Sequence, residues 1–85
     1  SQTPVLVDFS AVWCGPCKKQ ADILTELTVL KKDLKVVKID VDDCPTLASQ
    51  FGVRSLPTMI LFKDGKPADK KVGLTSLNSL LELVK

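Results

Sequence analysis

The stretch Val12-Trp13-Cys14-Gly15-Pro16-Cys17-Lys18-Lys19 sets two cysteines apart by nothing but Gly-Pro. Such a C-x-x-C pair serves as half of a metal site, as a small structural staple, or as a redox switch. A structural zinc site wants four Cys or His ligands, usually as two pairs. This chain has no histidine and only one further cysteine, Cys44, so a closed site would need a carboxylate or a second chain. A staple is also a poor fit, because closing so short a loop removes little unfolded-state entropy. The redox reading depends on what surrounds the pair.

On the N-terminal side, Val5 to Phe9 (VLVDF) is a short apolar run with β-branched residues, the pattern of a strand buried on both faces. On the C-terminal side, Ala21, Ile23-Leu24, Leu27, Leu30 and Leu34 recur at helical spacing, which predicts a helix from about Cys14 to Leu34. Pro16 suits its first turn, where a missing N–H breaks no bond. Lys35 to Val41 reads as a second strand, so strand, helix and strand form a βαβ unit with parallel strands. Cys44-Pro45 opens a short helix through Phe51, stopped by Gly52. Met59 to Lys63 is a third strand, Asp64-Gly65 a tight hairpin turn, and Asp69 to Val72 a weakly apolar returning strand suited to a sheet edge. Thr75 or Ser76 caps a last helix with Leu77, Leu80-Leu81 and Val84 inward. The expected fold is an α/β sandwich, β-α-β-α-β-β-α, in which a parallel pair and an antiparallel hairpin are covered by helices, as a single domain over residues 1–85.

Composition narrows the function classes. With 85 residues, 26% charged, the chain is of ordinary globular composition near the size at which one core just suffices. A net charge of +2, with lysines scattered among acids, argues against nucleic acid or a membrane surface. No apolar run approaches the roughly 18 residues of a membrane span. Three cysteines are too few and odd in number for a multi-disulfide scaffold, so a reducing compartment, the cytoplasm, is the expected location.

The predicted helix start at Cys14 gives the pair its chemistry: unpaired N–H groups and the helix dipole there favour a thiolate, the nucleophilic form. Cys17, one turn in, is placed to attack a mixed disulfide made by Cys14. Trp13-Cys14-Gly15-Pro16-Cys17, preceded by Val5-Leu6-Val7-Asp8-Phe9 and followed by Ser55-Leu56-Pro57-Thr58 and Lys71-Val72-Gly73, resembles the thioredoxin family over essentially the whole chain. The resemblance implies a three-layer α/β/α sandwich on a four-stranded mixed sheet, and a protein disulfide reductase using a Cys14/Cys17 dithiol–disulfide cycle. It implies electrons from a thioredoxin reductase-type donor, disulfide-containing proteins as substrates, and neither a metal nor a bound cofactor.

Other residues acquire expected roles. Asp8 is the one charged residue in its strand. On pattern alone it either faces solvent or is buried with a raised pKa, and the resemblance implies that it lies beneath the disulfide and exchanges the proton of Cys17. Lys38, on the neighbouring strand, is a surface lysine or a group that tunes Asp8. Sequence alone makes the Leu56-Pro57 bond trans, the commoner isomer. The resemblance implies that it is cis, faces the cysteines and offers the Leu56 backbone to an extended substrate. Trp13 is either core or part of a substrate-binding surface with Gly15, Pro16, Leu56, Pro57, Gly73 and Leu74. Cys44 is expected to be a partly buried spectator.

The chain departs from the family at Ser10 and Asp22, where Trp and Pro are usual, and the leading strand and helix of full-length thioredoxins are expected to be absent. The Lys35–Val41 strand would then be an exposed edge able to pair with another chain, and the protein is otherwise expected to be a monomer. A different class stays open at this point: a binding module whose surface around Trp13 and Pro57 docks a partner without turnover.

Overall fold

Alternation along two central strands determines the architecture. In the computed structural model, which describes residues 4–85, β1 (Val5–Ser10) and β3 (Thr58–Lys63) lie side by side and antiparallel. Leu6, Met59 and Leu61 point to one face, and Val7, Phe9 and Ile60 to the other, as period-two side chains must. The first face is covered by α1 (Gly15–Leu30) and α3 (Leu77–Leu83), which contribute Leu24, Leu27, Leu80 and Leu83. The second is covered by α2 (Pro45–Gln50) through Ala48, with Leu47 and Phe51 packed alongside. Phe51 bridges Phe9 and Phe62, at centroid distances of 6.1 and 5.4 Å, the latter edge-on. Each fully buried Leu or Phe contributes about 1.5–3 kcal/mol.

β2 (Lys35–Asp40) pairs in parallel with β1, and β4 (Lys66–Val72) antiparallel with β3, giving the order β2-β1-β3-β4. The three-layer α/β/α sandwich and its element order are those expected. Asp64 and Gly65, both at positive φ, form the two-residue turn into β4, so β4 starts at Lys66, earlier than its apolar content indicated. A bulge opposite Leu61/Phe62 absorbs Ala68 between the paired Pro67 and Asp69. Nearly all of β4 is exposed, the mark of an edge.

The end of α1 also differs from the sequence reading. Helix α1 ends at Leu30, not Leu34. Lys31 closes it through its N–H to the Leu27 carbonyl, and Leu34 folds back by a turn bond to Lys31 and joins the same core. A loop thus buries Leu34 where helical periodicity would also have put it, while Leu30 is exposed. Ser76, rather than Thr75, caps α3, its hydroxyl accepting from the Ser79 N–H. Among the described residues, no helix is long and apolar enough to cross a membrane.

Candidate active site

The C-terminal end of β1 and the start of α1 meet at Ala11–Cys17. The Cys14 N–H donates to the Ala11 carbonyl, which turns the chain into the helix, and Cys14 is the N-cap of α1. Its Sγ accepts the Cys17 N–H at 3.3 Å, the place a capping oxygen would take. Pro16 occupies the first turn, as its spacing predicted. Cys14 and Cys17 form a disulfide with a Cα–Cα distance of 5.3 Å, and both are buried on an apolar bed of Ala11, Val41 and Leu56.

The two sulfurs belong to different surroundings. Cys14, with Trp13, Gly15 and Pro16, walls an open groove of ≈ 580 Å³ whose opposite side is Val53, Arg54, Ser55 and Leu56. Cys17 instead lines a separate pocket of ≈ 300 Å³, itself open to solvent, shared with Asp8, Lys38, Ala21 and Asp40. Asp8 is fully buried and neither carboxyl oxygen has a protein hydrogen-bond partner among the described residues. Burial penalises its ionised form and pushes its pKa up to about 6, while the charge of Lys38 pulls the other way. Lys38 is paired in register with Asp8 across the parallel strands and is itself exposed.

The Leu56-Pro57 bond is cis, as the family resemblance implied and the bare sequence did not. Pro57 is buried, and its carbonyl accepts the Gly73 N–H at 2.7 Å, which fastens the loop after β4 beside it. Gly73, at φ +86°, has a conformation that a side chain would strain. Gly73 and Leu74 do not wall the Cys14 groove; Leu74 is half exposed beside it in sequence, on a loop tied to Pro57 rather than to Cys14. Trp13 is not core. It is 68% exposed, and its Nε1–H donates to Asp42 Oδ2 at 2.8 Å.

The redox-bonded pair at a helix start, the cis-proline and the buried carboxyl occur together on this fold, and the model of the family described as Thioredoxin matches residues 1–85. The chain belongs to the thioredoxin family. It is 48% identical to the thioredoxin of Rickettsia felis over 85 residues, covering 99% of this chain and 81% of that protein. It is 49% identical to the thioredoxin of Chlamydia muridarum over 80 residues, covering 94% and 78%. Among solved structures, the oxidised mitochondrial thioredoxin 3 of Saccharomyces cerevisiae superposes with a TM-score of 0.91 at 36% identity, covering 99% and 78% of the two chains. The protein is accordingly a thiol–disulfide oxidoreductase, a disulfide reductase of the thioredoxin kind working through Cys14 and Cys17.

Three features of this thioredoxin escaped the sequence reading. Asp42, which belongs to no motif, accepts the Trp13 indole N–H, and its own N–H donates to Asp40 Oδ1 at 2.8 Å. Arg54 walls the groove, and its position two residues before Leu56 was the signal for it. Gln20, in a helical position that reads as polar surface, is fully buried. Cys44 corrects an expectation in the other direction. It is exposed and unpaired at the N-cap of α2, where its side chain makes no capping bond.

Proposed function

We propose that Cys14 is the attacking thiol, Cys17 the resolving thiol and Asp8 the proton acceptor and donor for Cys17. The observation that carries this division is that Cys14 opens on the groove while Cys17 shares a cavity with Asp8. In the reduced protein the Cys14 thiolate, favoured by the start of α1, attacks a substrate disulfide, forms an S–S bond to one sulfur and releases the other as a thiolate. Asp8 takes the Cys17 proton, and the Cys17 thiolate attacks Cys14 Sγ and expels the second substrate thiolate. Two electrons pass to the substrate, whose two thiolates are protonated by Asp8 and by solvent, and the Cys14–Cys17 disulfide remains. A dithiol donor, of the thioredoxin reductase type, restores the reduced pair by the reverse exchange.

The substrate enters as an extended segment along the groove. Trp13, Gly15 and Pro16 flank it on one side and Leu56 on the other, with the Leu56 backbone pairing to the segment. Pro57, Gly73 and Leu74 complete the contact surface beyond the groove, and Lys38 holds the Asp8 pKa from rising further. Residues 1–85 act as one domain and one chain, in electron transport to cytoplasmic protein disulfides. A docking module without turnover is not favoured, since it has no use for a disulfide-forming pair backed by an unpartnered carboxyl.

Reduction of insulin with dithiothreitol as donor tests the reading. The wild type accelerates the reaction and Cys14→Ser does not; equal rates for the two sink it.

A further inference from the structure

The buried amide of Gln20 uses both of its polar atoms on one residue. Its Nε2 donates to the Thr75 carbonyl at 3.0 Å, and its Oε1 accepts the Thr75 N–H at 2.7 Å. Gln20 lies one helical turn after Cys17, and Thr75 lies 55 residues away on the loop between β4 and α3. The bonds continue from there. Thr75 Oγ1–H donates to the Gly73 carbonyl at 2.9 Å, and the Gly73 N–H donates to the Pro57 carbonyl at 2.7 Å. An unbroken hydrogen-bonded path therefore runs from the helix that carries Cys17, through Gln20, Thr75 and Gly73, to Pro57.

Nothing about helix formation calls for an amide at this place, where Leu24 and Leu27 serve the same face, and burying an amide is unfavourable unless its hydrogen bonds are made. What the amide supplies is direction. Two opposed bonds to the N–H and C=O of one residue fix both the distance and the rotation of the Thr75 backbone relative to α1, which an apolar contact does not. The part of the loop thereby fixed is Gly73-Leu74.

We propose that Gln20 is a positioning residue for protein substrates: through Thr75 it sets the Gly73–Leu74 loop, and with it Pro57, in register with the cysteine pair. The inference rests on the assignment of Gly73, Leu74 and Pro57 to the substrate-contact surface. A small disulfide needs only the Cys14 sulfur and is indifferent to that register, whereas a polypeptide lying across the loop is not.

The test compares two substrates with the pre-reduced protein in single turnover: insulin, and the small aromatic disulfide dithiobis(nitrobenzoate). Gln20→Met keeps the volume and removes both bonds. Its rate constant with insulin falls about tenfold, in keeping with the sensitivity of such reactions to misplacement, while the rate with the small disulfide and the dithiol–disulfide equilibrium against glutathione each change by less than about twofold. Should Gln20→Met fail to fold, the isosteric Thr75→Val carries the test, since it removes only the hydroxyl that holds the Gly73 carbonyl, and the insulin rate alone falls, by about threefold. Equal losses on both substrates, or no loss on insulin in a folded variant, overturn the proposal. A wild type that reduces insulin while Gln20→Met is unimpaired removes the inference only; a wild type inert towards insulin removes the functional reading beneath it.

Discussion

Asp8 and Gln20 are both polar, both fully buried and both close to Cys17, yet the fold treats them oppositely. The Gln20 amide has a protein partner for each polar atom; the Asp8 carboxyl has none among the described residues. A satisfied buried polar group holds geometry and has little reason to change state. An unsatisfied carboxyl is held near the pH at which it exchanges a proton, because its charged form is the costly one. In the proposed mechanism two tasks fall to neighbouring residues, one keeping position and one handling a proton.

The contrast is sharpest in stability, where the two residues should respond with opposite sign. Asp8 titrates at about 6 against 3.8 for the free group, a difference of roughly 3 kcal/mol. Since the folded-state pKa is the raised one, the folded protein binds the extra proton. Stability from this group is present below pH 3.8, falls as the pH rises, and is lost above about 6. Asp8→Asn should therefore stabilise the oxidised protein against urea by up to roughly 3 kcal/mol above neutral pH, shrinking towards zero in acid. In activity it should slow the Cys17 step about tenfold, and erase the rise in that step as the pH passes through about 6, both read by stopped-flow single turnover. An Asp8→Asn protein no more stable than wild type at about pH 8 would mean that the carboxyl has a partner after all.

Gln20→Met should move stability the other way. It strands the buried N–H and C=O of Thr75, a loss of about 2 kcal/mol in urea unfolding, with the same cost in acid and at neutral pH. A smaller change is expected from Lys38→Met. Lys38 lowers the Asp8 pKa, so its removal should carry the midpoint above about 6, as followed by NMR titration of the Asp8 carboxyl carbon. A downward move would show that Lys38 acts on Asp8 by something other than its charge. Smallest of all, Trp13→Phe removes one exposed hydrogen bond to Asp42 and should leave stability within about 0.5 kcal/mol, since an exposed site has little to lose.

The same pair of residues shows what could be read from the chain. Asp8 stood out because an acid inside VLVDF breaks an apolar run, so its burial followed from local pattern together with the family resemblance. Gln20 left no such trace. A polar residue between Lys19 and Ala21 looks like the wet side of a helix, and the partner that explains it is 55 residues distant. Asp42 and Trp13, 29 residues apart, were hidden for the same reason. Elements with one dominant local cause were legible: β1 and β3 from their apolar runs, the turn at Asp64-Gly65, and Pro16 and Cys14 at the start of α1. The end of α1 was not, because Leu34 reaches the core from a turn as readily as from a helix. The exposure of Cys44 was missed because a cysteine before a helix is as compatible with the surface as with the core.

The central claim is that Cys14 alone makes the bond to substrate while Cys17 ends it. Its most direct test is to mix reduced Cys17→Ser protein with insulin under non-reducing conditions and map the adduct by mass spectrometry. The account predicts a long-lived mixed disulfide through Cys14, and no such adduct with Cys14→Ser. An adduct through Cys44 in place of Cys14, or no adduct at all with Cys17→Ser, would contradict it.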